Sequence, residues 1–91
     1  MFVHGFGASG LMYWRVMKPL AKHYQLFFVD LPGMGSSTRV PFLCKTVSET
    51  QEFFTSFLEE WRIAMGGLSD FYLVGHSFGG YVSGLYALAY P

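Results

Sequence analysis

Gly75-His76-Ser77-Phe78-Gly79-Gly80 has the residue types and spacing for nucleophilic chemistry. It follows an apolar run, Phe71-Tyr72-Leu73-Val74, that reads as a buried strand, and precedes Tyr81–Tyr90, which reads as a helix. A serine between glycines at a strand-to-helix turn fits the G-x-S-x-G nucleophile elbow. Such a turn forces Ser77 into a strained backbone conformation. Side chains at 75 and 79 would collide across it, so glycine is expected at both, with Gly80 extending the turn. The hydroxyl then stands exposed at a helix N-terminus, where the free N–H of Phe78 and the helix dipole can stabilise an oxyanion. The competing reading is a glycine-rich turn with an incidental serine, because short patterns match by chance.

Two further segments weigh against coincidence. The chain opens Phe2-Val3-His4-Gly5-Phe6-Gly7, an apolar strand end breaking into a glycine loop. Later, Phe27-Phe28-Val29-Asp30-Leu31-Pro32-Gly33-Met34-Gly35-Ser36-Ser37 gives a second strand running into a Pro/Gly turn. The three segments, in this order, resemble the α/β-hydrolase superfamily. That superfamily has His-Gly after its third strand, Asp-x-x-Gly-x-Gly-x-Ser after its fourth and the elbow after its fifth. The resemblance covers nearly the whole chain. The run Phe57-Leu58-Glu59-Glu60-Trp61-Arg62, the elbow and Tyr86–Pro91 are similar to one lipid-metabolising branch. That branch includes N-acyl phospholipase B, lysophospholipases and the coactivator of adipose triglyceride lipase. The coactivator has asparagine at the nucleophile position; this chain has Ser77, which sides with the hydrolases.

Serine hydrolysis needs a nucleophile, a base, an acid that orients the base, and an oxyanion hole. Ser77 is the candidate nucleophile and Phe78 N–H one oxyanion donor. The resemblance implies that Phe6 N–H, just after His4-Gly5, is the other. In this fold the acid and the histidine base follow the serine, yet Phe78–Pro91 contains no Asp, Glu or His. His76 adjoins Ser77 on a sharp turn that points neighbouring side chains apart. His4 is better suited to holding the oxyanion loop, and His23 reads as solvated. Asp30 is expected to tie loop N–H groups. Residues 1–91 thus hold the nucleophile half of a serine hydrolase and are expected to be inactive alone.

The resemblance implies an acyl ester or amide substrate, lysophospholipid-like, with a peripheral membrane or lipid-droplet surface as a further contact. A non-catalytic lipid- or lipase-binding protein on the same fold is a second reading, and an acyltransferase a third. No cofactor and no metal are expected. Cys44 is the sole cysteine and reads as a small loop hydrophobe. Six basic residues balance six acidic ones with no basic cluster in sequence, which gives nucleic-acid binding no support.

Composition frames the positioning elements. Only 13% of the 91 residues are charged and 52% are hydrophobic, against roughly 25% charged in an ordinary domain. So little charge covers a small surface poorly. The expectation is one portion of a single α/β-hydrolase domain, cut at both ends, rather than a small membrane-associated or oligomeric protein. Residues 71–91 carry no Asp, Glu, Lys or Arg and are long enough to span a bilayer. A buried strand plus a buried helix explains that run better.

Three strand-helix units are expected. Strands fall at about 1–4, 25–30 and 71–75. Helical periodicity covers 9–24, with a break near Met17-Lys18 ahead of Pro19. A loop spans 31–45. A helix over 46–65 begins with a Thr46/Glu49 capping box, presents Phe53, Phe54, Phe57, Leu58, Trp61 and Met65 on one face, and ends at Gly66-Gly67. The last helix covers about 78–90. Alternating strands and helices imply a partial α/β fold: three parallel strands with helices on both faces. The resemblance places the first strand between the other two, the 9–24 helix on one face and the later helices on the other.

Overall fold

A computed structural model describes residues 1–91. Its elements are β1 (Phe2–Val3), a 3₁₀ turn (Gly10–Tyr13), α1 (Trp14–Ala21), β2 (Phe28–Val29), α2 (Val47–Ala64), β3 (Val74–Gly75) and α3 (Phe78–Ala89). The strands form one parallel sheet in the order β2-β1-β3, as expected. The register pairs Phe2 with Phe28 and with Val74. The strands are shorter than expected, two residues each, although bonds of the ladder type extend past them: Met1 N–H donates to Tyr72 O at 2.8 Å and His76 N–H to Val3 O at 3.2 Å.

Period-two alternation in β1 sorts the two faces. Val3, Val29 and Leu31 join Phe54 and Leu58 of α2 and Val82 and Tyr86 of α3 in one buried cluster. Each pair on α2 and α3 is four residues apart, one helical turn, so both helices turn one stripe to the same side of the sheet. Phe2 faces the other way, stacked on Phe28 at 4.9 Å and edge-on to Tyr13 at 5.0 Å. Tyr13 Oη donates to Val3 O at 2.8 Å and pins the 3₁₀ turn to β1.

The expected break ahead of Pro19 is absent: α1 runs through it, and the discontinuity lies at Tyr13, where 3₁₀ geometry becomes α-helical. Proline removes one N–H from the ladder, but Pro19 and Arg15, one turn before it, are exposed. Water can satisfy the released Arg15 carbonyl, so the helix continues. Thr46 caps α2 by accepting from Glu49 N–H at 3.1 Å. Glu49 reaches Lys45 N–H at 2.7 Å, one residue before the cap rather than the cap itself. Gly66 and Gly67 adopt φ of 95° and 73° and end the helix, where Met65 is exposed rather than part of the buried face.

At the far end of the α2–α3 seam, Glu59 accepts two hydrogen bonds from Arg62, at 2.7 and 3.0 Å, and one from Tyr86 Oη at 2.5 Å. These bonds, Arg62's first, hold the Glu59 carboxyl down to about 2. Burial, then Glu59, pushes the Tyr86 phenol up to about 12. The group is a lock between the two helices, and Arg62 Nη1 also donates to Leu68 O at 2.8 Å, just past the Gly66-Gly67 turn.

Candidate active site

The three glycine-bearing turns meet at the carboxyl end of the sheet. Ser77, which with His76 links β3 to α3, stands at φ 55° and ψ −120°. Few residues other than glycine occupy that region, which costs on the order of 1–3 kcal/mol. Its consequence is chemical. A serine at a helix N-cap ordinarily has extended backbone and spends its oxygen on an N–H of the first turn. Ser77 makes no such bond. Its side chain is exposed, and its carbonyl accepts from Tyr81 N–H at 3.1 Å.

Close approach explains the flanking glycines. A Cβ at Gly75 would stand 2.7 Å from the Gly79 carbonyl carbon and 2.7 Å from Gly80 Cα, across the turn as expected. A Cβ at Gly79 would instead strike β1: 2.7 Å from the Val3 carbonyl carbon, with the Val3 and His4 oxygens nearer still. Gly79 therefore takes part in two close approaches: its backbone is what a side chain at 75 would strike across the turn, and its own Cβ position is where α3 rests on the central strand.

His4 is completely buried. Its Nε2 accepts from Leu31 N–H at 2.9 Å and its Nδ1 lies 2.7 Å from Gly5 O, an arrangement that assigns the proton to Nδ1. Both ring nitrogens are thus occupied in tying the 4–7 loop to the end of β2. Asp30 completes the brace: its carboxylate accepts from Gly10 N–H at 2.7 Å and Ser36 N–H at 2.9 Å. Partial burial alone would raise the Asp30 carboxyl; these two bonds, Gly10's first, outweigh it and hold it below its usual range.

The braced loop lies against the elbow. The Cβ direction of Gly5 points to within 3.5 Å of Ser77 Cβ. The rings of Phe6 and Phe78 meet edge to face at 6.4 Å. Neither Phe6 nor Phe78 donates its backbone N–H to a turn or loop acceptor. The structure therefore brings Ser77, Phe6 and Phe78 together, with His4, Gly5, Gly75, Gly79 and Gly80 as the frame. No histidine completes it: His4 is committed, His23 is exposed at the far end of α1, and no hydrogen bond joins His76 to Ser77. Cys44 lies on the loop before α2, where it lines a cleft of ≈ 320 Å³ together with Phe54, Phe78 and Tyr81.

One feature escaped sequence reasoning. A cleft of ≈ 470 Å³ opens beside Phe6 and Phe78 and is lined by Met34, Phe42, Phe53 and Phe54. Edge-to-face contacts link Phe42 to Phe53 at 5.5 Å and Phe54 to Phe78 at 5.1 Å. Periodicity assigned Phe53 and Phe54 to the core, and the Pro/Gly content of 31–45 masked Phe42. The signal was an apolar run, Val40 to Cys44, inside a loop. Two larger clefts, ≈ 780 and ≈ 760 Å³, lie beside Arg62 and Tyr86 and between Tyr13 and Tyr72; neither is lined by Ser77.

A parallel sheet with β1 central, helices on both faces and a strained serine between strand and helix defines an α/β-hydrolase scaffold. The family model for the alpha/beta hydrolase fold matches residues 1–91, and the chain belongs to that family. It is 44% identical over its whole length to a 1-acylglycerol-3-phosphate O-acyltransferase of Arabidopsis thaliana. It is 41% identical to abhydrolase domain-containing protein abhd-5.2 of Caenorhabditis elegans, and 36% identical to 1-acylglycerol-3-phosphate O-acyltransferase ABHD5 of Homo sapiens. The chain spans 22%, 20% and 26% of those relatives, respectively. The crystal structure of ALR0039 from Nostoc sp PCC 7120 superposes with a TM-score of 0.69 at 27% identity, covering 99% of this chain and 31% of that one. The relatives fall in the lipid-metabolism branch that the sequence resembles. No helix is long and apolar enough to cross a membrane.

Proposed function

We propose that Ser77 is the acyl-accepting nucleophile of a lipid acyl-transfer reaction, with the N–H groups of Phe6 and Phe78 as its oxyanion donors. The observation that carries this reading is the Ser77 backbone at φ 55° and ψ −120°, with a hydroxyl that caps nothing. Strain of that kind persists where the surroundings over-determine it, and here β1 and the braced 4–7 loop supply the constraint. In the reaction, Ser77 Oγ bonds to the acyl carbonyl carbon, the carbonyl oxygen takes up negative charge between the two N–H groups, and the alcohol leaves with a proton. The aromatic cleft beside Phe6 and Phe78 is suited to the hydrocarbon part of the acyl group. The base and its orienting acid belong to sequence outside residues 1–91, which on this reading are one portion of a longer hydrolase domain.

The second half-reaction has two possible acceptors. Water yields a fatty acid, the serine-hydrolase outcome. The alcohol of a lysophospholipid yields a new ester, an outcome favoured by the acyltransferase names of relatives 36–44% identical to the chain. The test incubates the intact protein with an acyl donor, with and without 1-acylglycerol-3-phosphate, and quantifies fatty acid and new ester. Products of either kind that vanish in Ser77→Ala support the reading. Products that persist at the same rate in Ser77→Ala refute it. No product from the intact protein, with lipid or lipase binding retained, leaves the non-catalytic binding protein in its place.

A further inference from the structure

Charge is segregated across this molecule although its net charge is zero. Residues 1–29 contain no Asp or Glu and carry Arg15, Lys18 and Lys22. These three lie on one face of α1 and the turn that continues it, at spacings of three and four. All are exposed, whereas Tyr13, Met17 and Leu20 on the opposite side are half-buried toward the sheet. Four of the six acidic residues, Glu49, Glu52, Glu59 and Glu60, sit on α2, across the sheet. Asp30, the acid nearest in sequence to the basic face, has its carboxylate taken by Gly10 and Ser36. The single ion pair joins Arg62 to Glu59. Asp70 lines the cleft beside Val16 and Leu20 but forms no ion pair, so the basic face of α1 has no ion-pair partner in this chain.

Two features distinguish this face from an ordinary solvated one. Helix polarity accounts for Lys18 and Lys22 near the C-terminus of α1, but Arg15 occupies its first turn, where the dipole opposes a cation. The same turn exposes large apolar groups: Leu11 is 73% and Trp14 63% exposed, with the Arg15 guanidinium 5.4 Å from the Trp14 ring centre. Exposed tryptophan beside unpaired basic residues is the combination that seats a protein at a lipid–water interface. The turn that carries Leu11 follows directly from the loop of Phe6, which is itself 80% exposed.

We infer that the Leu11–Lys22 surface docks this protein on an anionic phospholipid bilayer, with Arg15, Lys18 and Lys22 against lipid phosphates and carboxylates and Leu11 and Trp14 in the interface. The loop of Phe6, which lines the aromatic cleft, leads directly into that surface. The inference does not involve Ser77 chemistry, so Ser77→Ala leaves docking unchanged and the two readings fail separately.

The test sediments the intact protein with phosphatidylcholine vesicles, with and without phosphatidylserine. Three basic residues near such a surface amount to roughly a hundredfold in partitioning. The expected result is binding that requires phosphatidylserine, weakens with added salt, falls about that much in R15A/K18A/K22A and falls severalfold in Trp14→Ala. A charge-reversed R15E/K18E/K22E should bind vesicles carrying a cationic lipid instead, and a urea midpoint close to the parent's shows that each variant is folded. Equal binding by the alanine variant, or equal binding to phosphatidylcholine alone, overturns the proposal. Binding to polyglutamate but to no vesicle assigns the face to an acidic protein and also overturns it. Self-association abolished equally by E52Q/E60Q and by the alanine variant points to pairing between copies and overturns it as well.

Discussion

One methyl group at two positions of α3 should have opposite effects. In Gly79→Ala the new Cβ would lie 2.7 Å from the Val3 carbonyl carbon, with two backbone oxygens closer. Comfortable carbon–carbon contact begins near 3.5 Å, so α3 must withdraw from β1 by roughly 0.8 Å or more. Both sides of the contact are backbone, one in a three-stranded sheet and one in a helix, so neither yields easily. Overpacking of this kind costs about 1–3 kcal/mol. Here the upper end applies, offset by about 1 kcal/mol of improved helix propensity. The expected net loss is ~2 kcal/mol. A Cβ at Gly84, five residues on in the same helix, meets nothing within 4 Å. Gly84→Ala should therefore stabilise by ~0.5–1 kcal/mol from propensity alone. Urea unfolding of the intact protein reads both, as shifts in midpoint at constant slope. Gly79→Ala also moves Ser77 and Phe78 away from the Phe6 loop, so activity should fall further than stability does. A Gly79→Ala protein as stable as the parent, or a Gly84→Ala protein destabilised to the same degree, would refute the close-approach argument.

Other perturbations follow from the same geometry. Ser77→Gly removes the penalty of a positive φ and should raise the urea midpoint by the equivalent of ~1 kcal/mol while abolishing turnover. Glu59, held down to about 2 by Arg62 and then Tyr86 against a usual value of 4.5, binds its proton more weakly folded than unfolded. Its contribution is complete above about pH 4.5 and is lost as pH falls from there toward 2. Glu59→Gln should flatten the fall in unfolding midpoint across that window.

What the sequence made legible was whatever rests on local chemistry. Glycines around Ser77, the Thr46 cap and the Gly66-Gly67 stop each act within a few residues, and each stands where expected. Asp30 and His4 were readable as loop ties, because an acid and a histidine at strand ends next to glycine turns have N–H and C=O groups to satisfy. The strand order came from resemblance, since nothing local to β1 tells it to lie between β2 and β3. What failed depended on surroundings. Pro19 is tolerated because the carbonyl it releases faces water, and exposure cannot be read from a proline. Gly79 meets Val3, seventy-six residues away in sequence. Phe42 belongs to the cleft only because α2 presents Phe53 and Phe54 to it. The basic face of α1 required knowing which side of that helix the sheet covers.

The central claim is that Ser77 carries the acyl group. Its most direct test is a short exposure of the intact protein to a nitrophenyl acyl ester, acid quench, and peptide mass spectrometry. The account predicts an acyl adduct on the peptide spanning Gly75–Gly80, assigned to Ser77, absent from Ser77→Ala, and no more than background in the isolated 1–91 chain. Turnover by the intact protein that survives Ser77→Ala, or an adduct on Cys44 or a histidine in place of Ser77, would contradict it.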